Sequence, residues 1–264
     1  MFSELMAFLK KDFLSASSYK LDFAMSFVGI FFSVISFFFV SRLIPNAAVV
    51  DYGGDYFSFV LIGLALSNFI GLGMGSFSGI IRSMQRTGTI ETILTSRTKL
   101  RHFLIGSSLW GYFMTIFDVS IYFIFGMFLF GMKLNANIPA ALIILILNTI
   151  CFSAIGIIAA SMILIFKQGD PLTWIFTSLS SILGGTLYPI TIMPIWLQKI
   201  AELLPITHAL RAMRRAMIQG YPLSALKMDI LFLLFFSLAL IPISLIIFKM
   251  SLRKAKKDGS LVKY

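Results

Sequence analysis

Apolar residues run through this chain in long uninterrupted blocks, and polar residues gather in the short gaps between them. Six blocks are long enough to cross a hydrocarbon core of roughly 30 Å as helices. They cover residues 21–40, 57–80, 103–130, 138–166, 172–188 and 230–248. Each is rich in Phe, Leu and Ile, and none shows the period-two alternation of membrane-barrel strands. Backbone hydrogen bonds must then be satisfied inside each block, which predicts an all-α, polytopic membrane protein with six transmembrane helices.

The gaps carry patterns of their own. Phe2, Leu5, Met6, Leu9 and Phe13 recur at helical spacing with Glu4, Lys10 and Lys11 off the stripe, which predicts an interfacial helix over residues 1–20. Lys10, Lys11 and Asp12 would interrupt the apolar core of a signal peptide. Between spans five and six, Pro189, Pro194, Pro205 and Pro222 cut residues 189–228 into short pieces. Ile206, Leu210, Met213 and Met217 form an apolar stripe there, with His208, Arg211 and Arg215 on another side. Short re-entrant or interfacial helices are expected in this loop, the amphipathic one dipping into the outer membrane face or lying on it. Its arginines suit either lipid headgroups or the attraction of an anionic substrate. The chain reads as a single transmembrane domain, with residues 229–249 as the last span and 250–264 as a basic tail.

Composition agrees with the pattern. A mean hydropathy of +0.93 with 12% charged residues leaves too little polar surface for a soluble domain. The net charge of +11 raises nucleic acid as a partner until the basic residues are placed. Most of the 22 Lys and Arg fall in the segments that are internal if the N-terminus is cytoplasmic, six of them from Lys249 to Lys263. The positive-inside rule thus sets both termini in the cytoplasm of a plasma-membrane protein, and the charge reads as topology and contact with anionic lipid, with no nucleic acid. Lys199, Arg211, Arg214, Arg215 and Lys227 form an exception outside. Removing the fifth span would bring them in, but would expel the basic tail.

Within the spans, Gly63, Ser67, Gly71, Gly75 and Gly79 repeat every four residues, a small-residue ridge that lets another backbone approach closely. The ridge serves packing within one protomer or a gating or dimer seam. Asp118 is the ionisable side chain near the middle of a span, and is expected to face the bundle interior with Asn148 on the next span as a candidate partner. It is either a pathway residue or a hydrogen-bonded structural one. His102 and His208 stand in separate loops without the cluster a metal needs, and Cys151 is the one cysteine. No Ser/His/Asp set is readable in the membrane, which argues against a hydrolase.

Residues 88–97 form the polar stretch between spans two and three. Gly88 can cap a helix whose Glu91 reaches back to the free amides, while Ile90, Ile93 and Leu94 share one face. Such a stripe suits docking onto a membrane or into a protein cleft. The run Gly88-Thr89-Ile90-Glu91-Thr92-Ile93-Leu94 resembles the G-T-x-E-x-L-L element of ABC-2-type exporter permeases, the membrane subunits of ATP-binding-cassette exporters. The last loop is similar as well, in Tyr188-Pro189, in Pro194-Ile195-Trp196-Leu197-Gln198, in Leu204-Pro205-Ile206-Thr207 and in Arg214. The chain departs from the family pattern at Gln85, Arg86 and Thr87 before the Gly-Thr pair, and at Arg97 after it.

The resemblance implies a coupling helix, with Gly88, Thr89, Glu91, Ile93 and Leu94 seated in a groove of a separate P-loop ATPase. It also implies a homodimer or heterodimer of permeases, with the path between protomers lined in part by spans two and five. This chain has no G-x-x-x-x-G-K-[ST] run, so ATP and Mg would bind the partner ATPase and no cofactor or catalytic residue is expected here. An amphipathic drug-like, lipid or glycan cargo moved outward fits the family. The rival is an ion-coupled secondary transporter acting without an ATPase, which usually shows several intramembrane acids or paired broken helices. A membrane scaffold without transport would not need the coupling element.

Overall fold

A computed structural model describes residues 20–53, 55–90, 100–166 and 171–257, together with Met6, Lys10, Phe13 and Leu14. Among the described residues there is no strand, and eight α-helices follow in order. These are α1 (Lys20–Leu43), α2 (Tyr56–Arg86), α3 (Leu100–Phe128), α4 (Ile138–Phe166), α5 (Pro171–Leu183), α6 (Ile195–Ala201), α7 (Pro205–Ile218) and α8 (Lys227–Lys257). Short 3-10 turns at Asn46–Tyr52 and Ile190–Ile192 join α1 to α2 and α5 to α6. Most of the expected interfacial helix at residues 1–20 lies outside the described residues.

Helices α1, α2, α3, α4 and α8 are long and apolar enough to cross a membrane. The chain is therefore a multi-pass membrane protein. The fifth expected span differs. It was to run over 172–188, but α5 stops at Leu183 after 13 residues, which at 1.5 Å per residue covers only about 20 Å. Two glycines explain the stop. A Cβ on Gly184 would collide with the Ser180 carbonyl, and Gly185 takes a left-handed φ of 73°. The apolar window continued through Leu187 and Tyr188 because hydropathy does not register a backbone reversal.

Helix α4 is apolar on every side and occupies the middle of the bundle, packed chiefly on α2 and α8. Its closest approach to α2 is glycine against glycine: a Cβ on Gly156 would strike the Gly73 carbonyl, and one on Gly73 would lie 3.2 Å from Phe152 Cβ. On the other flank, α1 meets α3 through edge-on phenylalanine pairs, Phe27 with Phe117 at 5.8 Å and Phe31 with Phe125 at 5.6 Å.

Helix α7 corrects the expectation of a helix laid on the membrane face. Ile206, Leu210 and Met213 are buried, and so are Ala209, Ala212 and Ala216 on the adjoining faces. The helix packs against α2, α4 and α8. A helical stripe shows that one face is covered, and here protein rather than lipid covers it. The three alanines let neighbouring backbones close on the remaining sides.

Candidate functional site

Two regions gather the polar residues that the sequence singled out, one at each end of the bundle. At the end that holds α7, Arg214 is the central side chain. It is 2% exposed, and its guanidinium donates to three carbonyl oxygens: Nε to Phe59 at 3.1 Å, Nη1 to Gly185 at 2.8 Å and Nη2 to Thr186 at 2.7 Å. The plane rests on the Phe59 ring, 3.4 Å from its centroid. Burial pushes the Arg214 pKa down to about 9, with Tyr52 and Tyr56 opposing that shift, so the group stays charged at neutral pH. Three carbonyls in a fork arrangement suit a planar guanidinium, which carries donors in fixed directions.

The same contact explains part of the small-residue ridge. A Cβ on Gly63 would lie 2.7 Å from Arg214 Nη2 and would collide with the Thr186 carbonyl. One turn along, the hydroxyls of Ser67 and Thr186 are 3.3 Å apart, and Tyr56 donates to the Leu187 carbonyl at 2.8 Å. The N-terminal half of α2 is thus tied to the turn after α5 by way of Arg214. Gly71, Gly75 and Gly79 behave differently, because a Cβ on any of them would meet nothing within 4 Å. Gly75 and Gly79 line a cleft of about 590 Å³ between α2 and α3, where the Ser76 and Ser107 hydroxyls are buried without a partner among the described residues.

Beside Arg214 lies a charged cluster. Asp229 Oδ1 is 2.7 Å from His208 Nδ1 and accepts from Arg211 Nη2, also at 2.7 Å. His208 Nε2 faces the Glu202 carbonyl at 2.9 Å, and the imidazole stacks on Phe232 at 3.8 Å. Burial pushes the Arg211 pKa down, but the hydrogen bond and charge of Asp229 outweigh it and leave the pKa raised. His208 was expected to stand alone, and here it joins α7 to the first turn of α8. Asp229 was missed in the sequence, where its only signal was an acid just after a loop of five cations. Arg215 is half-buried, and its carbonyl accepts from the Gln219 and Tyr221 amides.

The prolines punctuate as expected. Pro189 precedes the second 3-10 turn, Pro194 precedes α6 and Pro205 starts α7. Trp196 on α6 is 64% exposed.

Asp118 and Asn148 do not form the expected pair. Asp118 is half-buried on α3 beside exposed Phe117 and Ser120, with no hydrogen bond or ion pair among the described residues. Asn148 is fully buried on α4, and both ends of its amide lack a partner among the described residues. Helical spacing gave their depth in the membrane but not the rotation of each helix about its axis.

At the opposite end, α2 closes at Arg86, and Gly88 turns the chain with a φ of 69°. Helix resumes at Thr89 and Ile90. Ile90 is fully buried with Phe77, Ile81 and Met84 of α2, Leu104 of α3, and Ile163 and Leu164 of α4. Residues 91–99, including Glu91, Ile93 and Leu94, lie outside the described residues.

Set against known families, residues 3–218 match the family model described as ABC-2 type transporter. The chain belongs to the ABC-2 type transporter family. A comparison with curated proteins finds no match. This ABC-2 permease is accordingly a membrane component of an ABC transporter, a class that works with an ATPase subunit. The two regions that carried the resemblance, the Gly-Thr turn after α2 and the proline-divided loop before α8, lie at opposite ends of α2.

Proposed function

We propose that this ABC-2 permease is the transmembrane half of an exporter, driven through residues 88–97 by a separate P-loop ATPase that binds ATP and Mg. It sits in the plasma membrane with both termini cytoplasmic. The chain crosses six times, α5 and the turn after it counting as the fifth crossing, and residues 189–228 belong to the outer side. Two permeases pair, as a homodimer or a heterodimer, with the path for an amphipathic drug-like, lipid or glycan cargo between them. The open half of the α2 ridge, at Gly71, Gly75 and Gly79, faces that path or the seam beside it.

The observation that carries this reading is the seat of Ile90. A connector that merely joined two spans would gain nothing from one fully buried isoleucine held by three different helices. A helix meant to receive force needs such an anchor, because displacement of the docked segment must move α2, α3 and α4 together. Glu91 follows directly on that anchor and is the charged residue placed to meet the ATPase.

Glu91→Arg tests the coupling. Co-expressed with its ATPase, the variant should insert normally but lose co-purification or transport-linked ATP turnover. Normal coupled export by Glu91→Arg would overturn the assignment. So would uphill movement of cargo by the purified chain alone in vesicles without nucleotide.

A further inference from the structure

Where the ends of α1 and α3 meet the start of α2, a cavity of about 710 Å³ opens at the same end of the bundle as Arg214. Three rings form its apolar wall. Phe38 of α1 lies 5.6 Å from Phe57 of α2 and 4.6 Å from Phe130 after α3, and Phe57 and Phe130 are 5.9 Å apart. Arg42 and Lys133 complete the lining. Arg42 is held over the Phe38 ring at 4.9 Å, which keeps its guanidinium at the cavity. Lys133 follows a left-handed turn at Gly131 and the buried Met132, whose amide bonds the Gly126 carbonyl at 2.9 Å.

The one carboxylate in the lining is already engaged. Asp55 accepts from the Phe57 and Ser58 amides at 3.3 and 3.2 Å, capping α2, and also from the Ser58 hydroxyl. Among the described residues, no carboxylate lies within ion-pair distance of Arg42 or Lys133. The cavity therefore presents two cations without an ion-pair contact among the described residues, and a net positive charge even with Asp55 ionised, next to an apolar wall at the membrane boundary. Its volume is in the range of small-molecule sites.

We propose that this cavity holds one anionic phospholipid of the outer leaflet, its phosphate between Arg42 and Lys133 and its glycerol and first methylenes against the three phenylalanines. A choline headgroup fits poorly, although aromatic rings bind quaternary ammonium. Arg42 already covers one ring, Lys133 adds like charge, and the Asp55 carboxylate is already bound by two amides and a hydroxyl. The site's placement in the outer leaflet rests on the proposed topology, whereas the charge and ring geometry of the cavity do not depend on the ATPase.

The test uses the purified full-length permease in neutral detergent micelles doped with phosphatidylglycerol or phosphatidylcholine, with retained lipid counted by native mass spectrometry. One phosphatidylglycerol per chain should survive conditions that strip phosphatidylcholine. Arg42→Gln with Lys133→Gln should lower that retention by about 30-fold, while Lys256→Gln with Lys257→Gln in the basic tail should not. Both side chains are exposed, so the thermal midpoint in lipid-free detergent should match the parent. Equal retention by parent and the Arg42/Lys133 variant would overturn the site. Equal retention of the two lipids, or displacement of phosphatidylglycerol by millimolar inorganic phosphate, would overturn its assignment to an anionic lipid.

Discussion

The guanidinium of Arg214 fills the space that a side chain at Gly63 would require, with Nη2 only 2.7 Å from where that Cβ would stand. An alanine there must displace both the arginine and the Thr186 carbonyl. Gly63→Ala should therefore lower stability by about 1–3 kcal/mol, the usual cost of overpacking. Gly79→Ala is the control, since nothing lies within 4 Å of the added methyl. Thermal unfolding in detergent compares the two, and equal midpoints would show that the α2 ridge tolerates a methyl throughout.

Arg214 itself should not be replaceable by lysine. An ammonium can reach one or two of the three carbonyls but cannot match the directions of Nε, Nη1 and Nη2 together. Each buried carbonyl left without a donor costs about 1–3 kcal/mol. Arg214→Lys and Arg214→Met should both lower the thermal midpoint, lysine recovering less than half of the loss. Near-complete recovery by lysine would mean that charge, not the fork, holds the turn after α5.

Asp229 contacts two partners at once. Its side chain is 7% exposed and contacts both His208 and Arg211 at 2.7 Å. Asp229→Asn keeps the shape but removes the counter-charge, and should cost about 1–3 kcal/mol. The more distant pair, Arg211 with Glu202 at 3.7 Å, has a carboxylate side chain 57% exposed. Glu202→Gln should change stability by less than about 1 kcal/mol, as exposed ion pairs do. Chemical unfolding of the two variants against the parent measures both.

The spans and the helical class were legible because membrane crossing is a matter of length and hydropathy, properties that lie along the chain. The role of α7 was not. Its stripe of Ile206, Leu210 and Met213 showed one buried face, yet the burial of Ala209, Ala212 and Ala216 depends on which helices close around it. Asp118 and Asn148 failed as a pair for the same reason, since sequence gives depth and spacing but not rotation. The close contact of Gly73 with Gly156 was also hidden, whereas the regular Gly63-to-Gly79 series drew attention to positions of which three have open space. The site around Arg214 was half legible. Its arginine and Gly63 were both marked, but for separate reasons, and only the fold places them together.

Ile90 offers a separate test of force transmission. It is fully buried among residues of α2, α3 and α4, so Ile90→Ala should leave a cavity worth about 2–5 kcal/mol of local packing. Residues 91–97, proposed to contact the ATPase, are unchanged in that variant. ATPase co-purification should persist while export per ATP hydrolysed falls several-fold. Loss of co-purification instead would place Ile90 in the docking surface, and unchanged export would remove it from the mechanical link.

The side of the membrane occupied by residues 189–228 can be read by labelling a single cysteine. A cysteine at 214 would report nothing, because Arg214 is 2% exposed and surrounded by carbonyls. Lys199 on α6 is exposed and charged, and its position should be open to water. Native Cys151 is fully buried and can be changed to alanine to clear the background. In that background, Lys199→Cys should react with a membrane-impermeant maleimide added to intact cells, while Lys257→Cys in α8 should react only after the membrane is opened. Six crossings require that asymmetry, because an odd number would put residue 257 on the opposite side from a cytoplasmic N-terminus. If instead Lys199→Cys reacts only after permeabilisation and Lys257→Cys reacts in intact cells, α5 returns to the side it left, the five cations of the last loop become cytoplasmic, the basic tail is expelled, and Arg214 loses its outer placement.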